Sequence, residues 1–373
     1  MSQAATLLPL PPVPRPAVVS RPRTVRLETS VPRLLHVTNG DCAADLLRLS
    51  GIPGTVTLTA DVLHDGPVPP PTLAPERWRK VRARFLAESG YEGYDECLAR
   101  LTEWDRALEA FRSYEEVVLW FEHDLFDQLH LIRLLDWFGR REVGWTRLSV
   151  VCIGEFPGIQ RFRGLGQLEP MDFTSLLELR KPVTDEQIRL ARNAWRVFCS
   201  AEPIGLELLL RRDTSALPFL AGALLRHLEE FPSTRNGLSR TEHQGLLAVA
   251  EVAGDGGAAT FAEVFQAAQD KEERAFLGDL PFLQRLREMA SRPRPLLRIE
   301  PGSDDSMAAL QVTITPAGLE VLDGREDWVH IHGIDRWLGG VHLVGFESQW
   351  RWDPDRQRLA PTWAPAPPAS AWP

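Results

Sequence analysis

The apolar run at residues 117–121 stops at Glu122, His123 and Asp124, with Asp127 and Gln128 one turn further on. A second histidine–carboxylate pair, His64 and Asp65, follows closely on Asp61. Neutral imidazoles beside carboxylates suit a divalent metal of the zinc or manganese type, and a bound cation can activate water against a phosphoester. That reading selects His64, Asp65 and His123 as metal ligands and adds Glu122 to the catalytic set. A metal-free alternative uses other residues. Asn39, Gly40 and Asp41 form a strand-to-helix turn whose helix N-terminus can receive the phosphate of a nucleotide or other phosphorylated ligand. Arg161 and Arg163 can grip that phosphate, with Asp61 and Asp124 completing the ligand-binding set. The spacing matches no named metal motif, and the chain has neither a dinucleotide glycine fingerprint nor a GxSxG elbow. Both chemistries stay open.

Each piece also has a purely structural explanation. Asp41 and Asp124 are good helix N-caps, and Asp127 sits where a first-turn carboxylate favours the helix dipole. Asn39 and Gly40 suit a tight turn, as does "HDGP" at 64–67. His36 reads as a satisfied core histidine, His130 as part of a polar helix stripe with Asp127 and Arg133, and Cys42 as a packed cysteine. Capping does not account for Glu122 and His123 ahead of the cap, nor for the second pair at His64 and Asp65. Their recurrence at several strand ends favours one shared site.

The elements around these residues alternate. "LLHVTN", "TVTLTADVL", "EEVVLWF" and "RLSVVCIG" read as strands, and "DCAADLLRLSG", residues 75–89, residues 94–111 and "DLFDQLHLIRLLDWF" read as helices. Strands alternating with helices imply right-handed crossovers and a parallel sheet, with ligands beyond the strands' carboxyl ends. The predicted fold is an α/β, Rossmann-like ligand-binding domain over 31–170, a helical bridge over 171–212 and a winged-helix-like α+β domain over 213–345. Residues 1–30 are proline-rich and read as unpacked; 346–373 form a C-terminal tail whose Pro/Ala-rich end "APTWAPAPPASAWP" reads the same way, while Trp337 and Trp350 are expected to fasten the C-terminal segment over a core. Thr184 and Gln187 form a capping box at the start of a bridge helix.

"HVTNGD" (36–41), "DVLHDGPVP" (61–69) and "WFEHDLFDQL" (120–129) resemble the signature segments of the bacterial domain-of-unknown-function 1835 family, over roughly residues 33–170. The resemblance implies that the three segments belong together. It names no chemistry.

In the C-terminal half, helices followed by two strands around "PGSDDS" have the order of a winged helix, a fold that binds DNA or only protein. Arg285, Arg287 and Arg294, with Arg292 and Arg298 beside them, make phosphate contacts feasible. Against this, residues 239–325 hold nine positive residues and fourteen acidic ones. A ligand-sensing transcriptional regulator is therefore the alternative to a ligand-binding protein or hydrolase. The net charge of −9 excludes indiscriminate coating of nucleic acid, and no apolar stretch is long enough for a membrane helix. Four scattered cysteines without a CxxC pair, and no signal-peptide pattern, place the chain in the cytoplasm with free thiols.

Overall fold

The computed structural model describes residues 33–254 and 257–362. The expected alternation is present as β1 (Leu34–Thr38), α1 (Asp41–Leu49), β2 (Thr55–Leu58), β3 (Gly66–Pro67), α2 (Pro75–Glu88), α3 (Tyr94–Glu109), β4 (Glu116–Glu122), α4 (Leu125–Gly139) and β5 (Arg147–Ile153). β1 and β4 are buried along their whole length, which is why their sequences are nearly continuous apolar runs. α5 (Pro170–Glu178) leads to β6 (Lys181–Pro182), which closes a sheet of order β2-β1-β4-β5-β6. Its first four strands are parallel and β6 is antiparallel. The register sets Thr38 of β1 opposite Trp120 of β4. Side chains alternate across β4: Val118 and Trp120 pack on one face with Phe173 and Leu176 of α5, while Val117, Leu119 and Phe121 join the core formed with α4.

The chain leaves β1 towards β2 and leaves β4 in the opposite direction towards β5. The order therefore reverses between β1 and β4, and the crevice past their carboxyl ends is the position where open α/β sheets bind ligands.

α6 (Asp185–Phe198) starts at the capping box read from sequence, with Thr184 accepting from the Gln187 N–H. α7 (Ile204–Leu210) and α8 (Leu220–Leu228) extend the first core. A second core follows, built from α9 (Arg240–Ala253), β7 (Ala259–Thr260), α10 (Phe261–Gln269), α11 (Asp279–Ala290), β8 (Leu297–Glu300), β9 (Gln311–Ile314), α12 (Pro316–Leu322) and α13 (Trp328–His332). Its three strands lie in antiparallel order β7-β9-β8 around Leu246, Phe261, Phe282 and Val312. β10 (Ile334–Gly339) pairs with β11 (Val341–Gly345) and, in parallel, with β3, so a late hairpin is stitched to the turn after β2.

β12 (Trp350–Asp353) and β13 (Arg358–Pro361) form a further hairpin. Trp350 packs against the first core and Trp352 and Leu359 are buried in it, so this segment is fastened over a core as its tryptophans suggest. Residues 1–30 and the last part of the tail, 363–373, lie outside the described residues. Among the described residues no helix is long and apolar enough to cross a membrane.

Candidate functional site

Three carboxylates gather at the crevice. Glu122 ends β4, Asp124 is the N-cap of α4, and Asp127 lies in the first turn of that helix. All are buried, at 6%, 4% and 1% exposure, and one oxygen from each lies within 4.8 Å of the others. Local hydrogen bonds fix them. Asp124 Oδ1 accepts from the Asp127 N–H at 3.1 Å, and Asp127 Oδ1 accepts from the Glu122 N–H at 2.8 Å. Asn39, at the end of β1, donates its amide to Asp127 Oδ2, which ties the two strand ends together. The Leu165 N–H donates to Glu122 Oε1 at 2.5 Å. Gly164 permits that approach: a Cβ there would lie 2.3 Å from Glu122 Oε2. Gly40 caps α1 at φ 63°, a left-handed value that favours glycine, and the space a Cβ would fill is open.

So much negative charge in so dry a place holds protons. Burial, then the charge of Asp124, pushes the Glu122 carboxyl up to about 8. Burial raises Asp124 to about 7 although the Asp127 and Phe126 N–H groups and the Arg274 charge favour its ionised form. Asp127 is raised well above the carboxylate range by burial and then by Glu122 and Asp124. A divalent cation would take the place of those protons. Ligand oxygens at ~2.1–2.5 Å from a magnesium or calcium ion lie up to roughly 4–5 Å apart, so the cluster has the span of one coordination sphere.

The cation site read from sequence, His64 with Asp65 and His123, is not assembled; the described residues bring together a different set. Asp65 is bound by Arg285 at 2.6 Å; burial pushes its carboxyl up, but Arg285, His64 and Arg336 together hold it below the usual range. His64 stands edge-on to Phe276 and Phe126, with neither ring nitrogen hydrogen-bonded and its basicity lowered by burial to about 4. His123 lies against Phe162 and Phe219, and its Nδ1 has no partner. Asp61 is closed off by both arms of the buried Arg82 guanidinium, at 2.7 and 2.9 Å.

Other assignments change as well. Asp41 is the first residue of α1 and Gly40 its cap. Arg161 and Arg163 are engaged by the chain itself: both bind Asp270, and Arg161 also donates to the carbonyls of Gln269, Asp270 and Glu272 at 3.0–3.1 Å. Arg285 points inward to Asp65 and Glu288, and Arg294 bridges Glu320 and Glu326. Arg287 is exposed and has no ion pair among the described residues. His36 is a satisfied core histidine, accepting from Trp120 Nε1 at 3.1 Å. His130 is buried rather than part of a polar stripe, held between Thr59 Oγ1 at 3.0 Å and the Asp61 carbonyl at 2.8 Å. Cys42 is exposed rather than packed.

The site set read from sequence includes neither Asp127 nor Arg274. Asp127 was explained by helix-dipole logic, which predicts the same Asp-x-x-Asp spacing. Arg274 lies in the segment after α10, and its guanidinium reaches the His123 carbonyl at 3.5 Å. Nothing local to either sequence position signals that meeting.

No family model matches the chain, and no curated protein matches it. Among solved structures, the Plasmodium falciparum topoisomerase II DNA-binding, cleavage and re-ligation domain is similar to it at a TM-score of 0.40 and 10% identity. That alignment covers 77% of this chain and 48% of the other.

Proposed function

We propose that the crevice between β1 and β4 binds a divalent cation through Glu122, Asp124 and Asp127 and, through it, a nucleotide or other phosphorylated ligand. The observation that carries this reading is the meeting of three buried carboxylates within 4.8 Å, with no arginine or lysine bonded to any of them among the described residues. Buried carboxylates are ordinarily paired, and an unpaired set is retained at a cost to stability. Metal-assisted hydrolysis of a phosphoester is the reaction that such a site supports. The chain's own part is to fix the carboxylates through Asn39, Leu165 and the α4 N-terminus. Residues 36–41 and 120–129, two of the segments resembling the domain-of-unknown-function 1835 family, supply Asn39, Gly40, Glu122, Asp124 and Asp127, which supports treating them as one site.

Thermal unfolding with Mn²⁺ or Mg²⁺ and a panel of nucleotides tests the reading, because a ligand of the native state raises the melting temperature by mass action. Asp124→Ser keeps a cap at a cost well under ~1 kcal/mol, so this variant should fold and lose the cation-dependent rise. A wild-type protein that no cation and nucleotide together stabilise would sink the proposal.

A second reading has its own observation. The order α9, β7, α10, α11, β8, β9 with sheet β7-β9-β8 supports a winged helix, in which α11 is the helix that enters the DNA major groove. Here Arg285 of α11 reaches Asp65, and Gln284 donates to the Ser89 carbonyl. The loop between β8 and β9 carries exposed Asp304 and Asp305. These contacts favour an internal docking role for the element over a regulator that reads DNA.

A further inference from the structure

The segment from Asp270 to Gly278, which joins α10 to α11, is tied to the crevice rim. Arg161 and Arg163 hold its start through Asp270, and Phe276 packs edge-on against His64 at 5.2 Å. Nearby arginines are neutralised by carboxylates: Arg226 by Glu230 and Glu272, Arg240 by Glu229, and Arg285 by Asp65. Arg274 is different. It forms no ion pair among the described residues, and its Nη1 stops at the His123 carbonyl, between Glu122 and Asp124 in sequence, at 3.5 Å. Its guanidinium lies 5.5 Å from the centre of the Phe219 ring. Gly222 leaves the room it occupies, since a Cβ there would sit 2.7 Å from Nη1. A cavity of about 300 Å³, lined in part by Leu125, Arg226, Glu272 and Arg274, adjoins it.

An arginine intended only to neutralise the cluster would bond to Asp124. This one is held by a backbone carbonyl and a ring, with its hydrogen-bond donors not committed to an acid. A planar, permanently charged fork beside a cation site is the arrangement that recognises phosphoryl oxygens in bidentate fashion. We propose that Arg274 is the anion-binding residue of the crevice, contacting the phosphoryl group of a ligand whose other oxygens are held by the cation at Glu122, Asp124 and Asp127. The inference rests on the cation reading above. It also gives the second core a part in the site, because the residue that completes it comes from the α10–α11 segment.

The test uses the full chain and inorganic pyrophosphate as the probe. Mn²⁺ binding is measured first by titration, then pyrophosphate binding to the Mn²⁺-loaded protein, for wild type, Arg274→Gln and Arg274→Lys. Loss of a charge-assisted pair of hydrogen bonds predicts about a 10- to 100-fold weaker pyrophosphate affinity in Arg274→Gln, with Mn²⁺ affinity unchanged or raised. Arg274→Lys, which keeps the charge, should recover part of that loss, a recovery that a packing role would not give. If Arg274→Gln fails to fold, the comparison passes to Arg274→Lys, whose weaker pyrophosphate binding at wild-type Mn²⁺ affinity is the supporting result. Equal pyrophosphate affinity in wild type and the folded variants, or Mn²⁺ binding without pyrophosphate binding in wild type, overturns the role of Arg274 alone. A wild type that binds no Mn²⁺ overturns the cation reading and this inference with it.

Discussion

Replacing Glu122 by glutamine should make the cation-free protein more stable while removing its cation site. The amide keeps an acceptor for the Leu165 N–H and has nearly the same shape, so the change is mainly one of charge. In the native protein the Glu122 carboxyl is raised from 4.5 to about 8, first by burial and then by Asp124. At ~1.36 kcal/mol for each tenfold change in proton affinity, ionising it above pH 8 forfeits a ceiling of about 5 kcal/mol. A shared proton can move to Asp124 or Asp127, so the expected gain in the variant is smaller, about 1–3 kcal/mol. The native value lies above the unfolded one. The stabilisation from holding the proton is therefore complete below pH 4.5 and is lost as the pH rises towards 8. Urea unfolding in the presence of a chelator should give nearly equal stabilities near pH 4.5 and a more stable variant at pH 8. A variant destabilised by the same amount at both pH values would refute the reasoning.

Arg285→Gln leaves the half-buried Asp65 without its charged partner, and chemical denaturation should register a loss of roughly 1–3 kcal/mol. Arg287→Gln, at an exposed position, should be nearly neutral in the same experiment. If a gel shift detects duplex binding at low salt, this second variant should weaken it and Arg285→Gln, once its stability loss is allowed for, should not.

The parallel sheet was readable because β1 and β4 are buried on both faces and β5 through its centre, which forces apolar runs such as "EEVVLWF" between polar turns. The same logic located Asn39, Gly40, Glu122 and Asp124 at strand ends, because the order of strands and helices alone directs those ends to one rim. Side-chain partners were not readable, since they depend on residues far apart in sequence. Asp61 is closed by Arg82 and Asp65 by Arg285, 21 and 220 residues away. Arg161 and Arg163 answer Asp270 across more than 100 residues. A histidine next to an aspartate in sequence carries no information about whether an aromatic shell surrounds it, which is why His64 looked like a ligand. Asp127, though named beside Glu122 in the sequence, was left out of the site for the opposite reason: a local capping explanation was sufficient, and its contacts with Asn39 and the Glu122 N–H show its second use.

The central claim is that Glu122, Asp124 and Asp127 together hold a divalent cation. Electron paramagnetic resonance of free Mn²⁺, titrated with chelator-treated full-length protein at pH 8, measures this directly. Wild type should remove one Mn²⁺ per chain from solution. Asp127→Asn, which keeps an acceptor for the Glu122 N–H but loses the charge, should leave that Mn²⁺ free. Equal Mn²⁺ uptake by the two proteins, or none by wild type, would contradict the account.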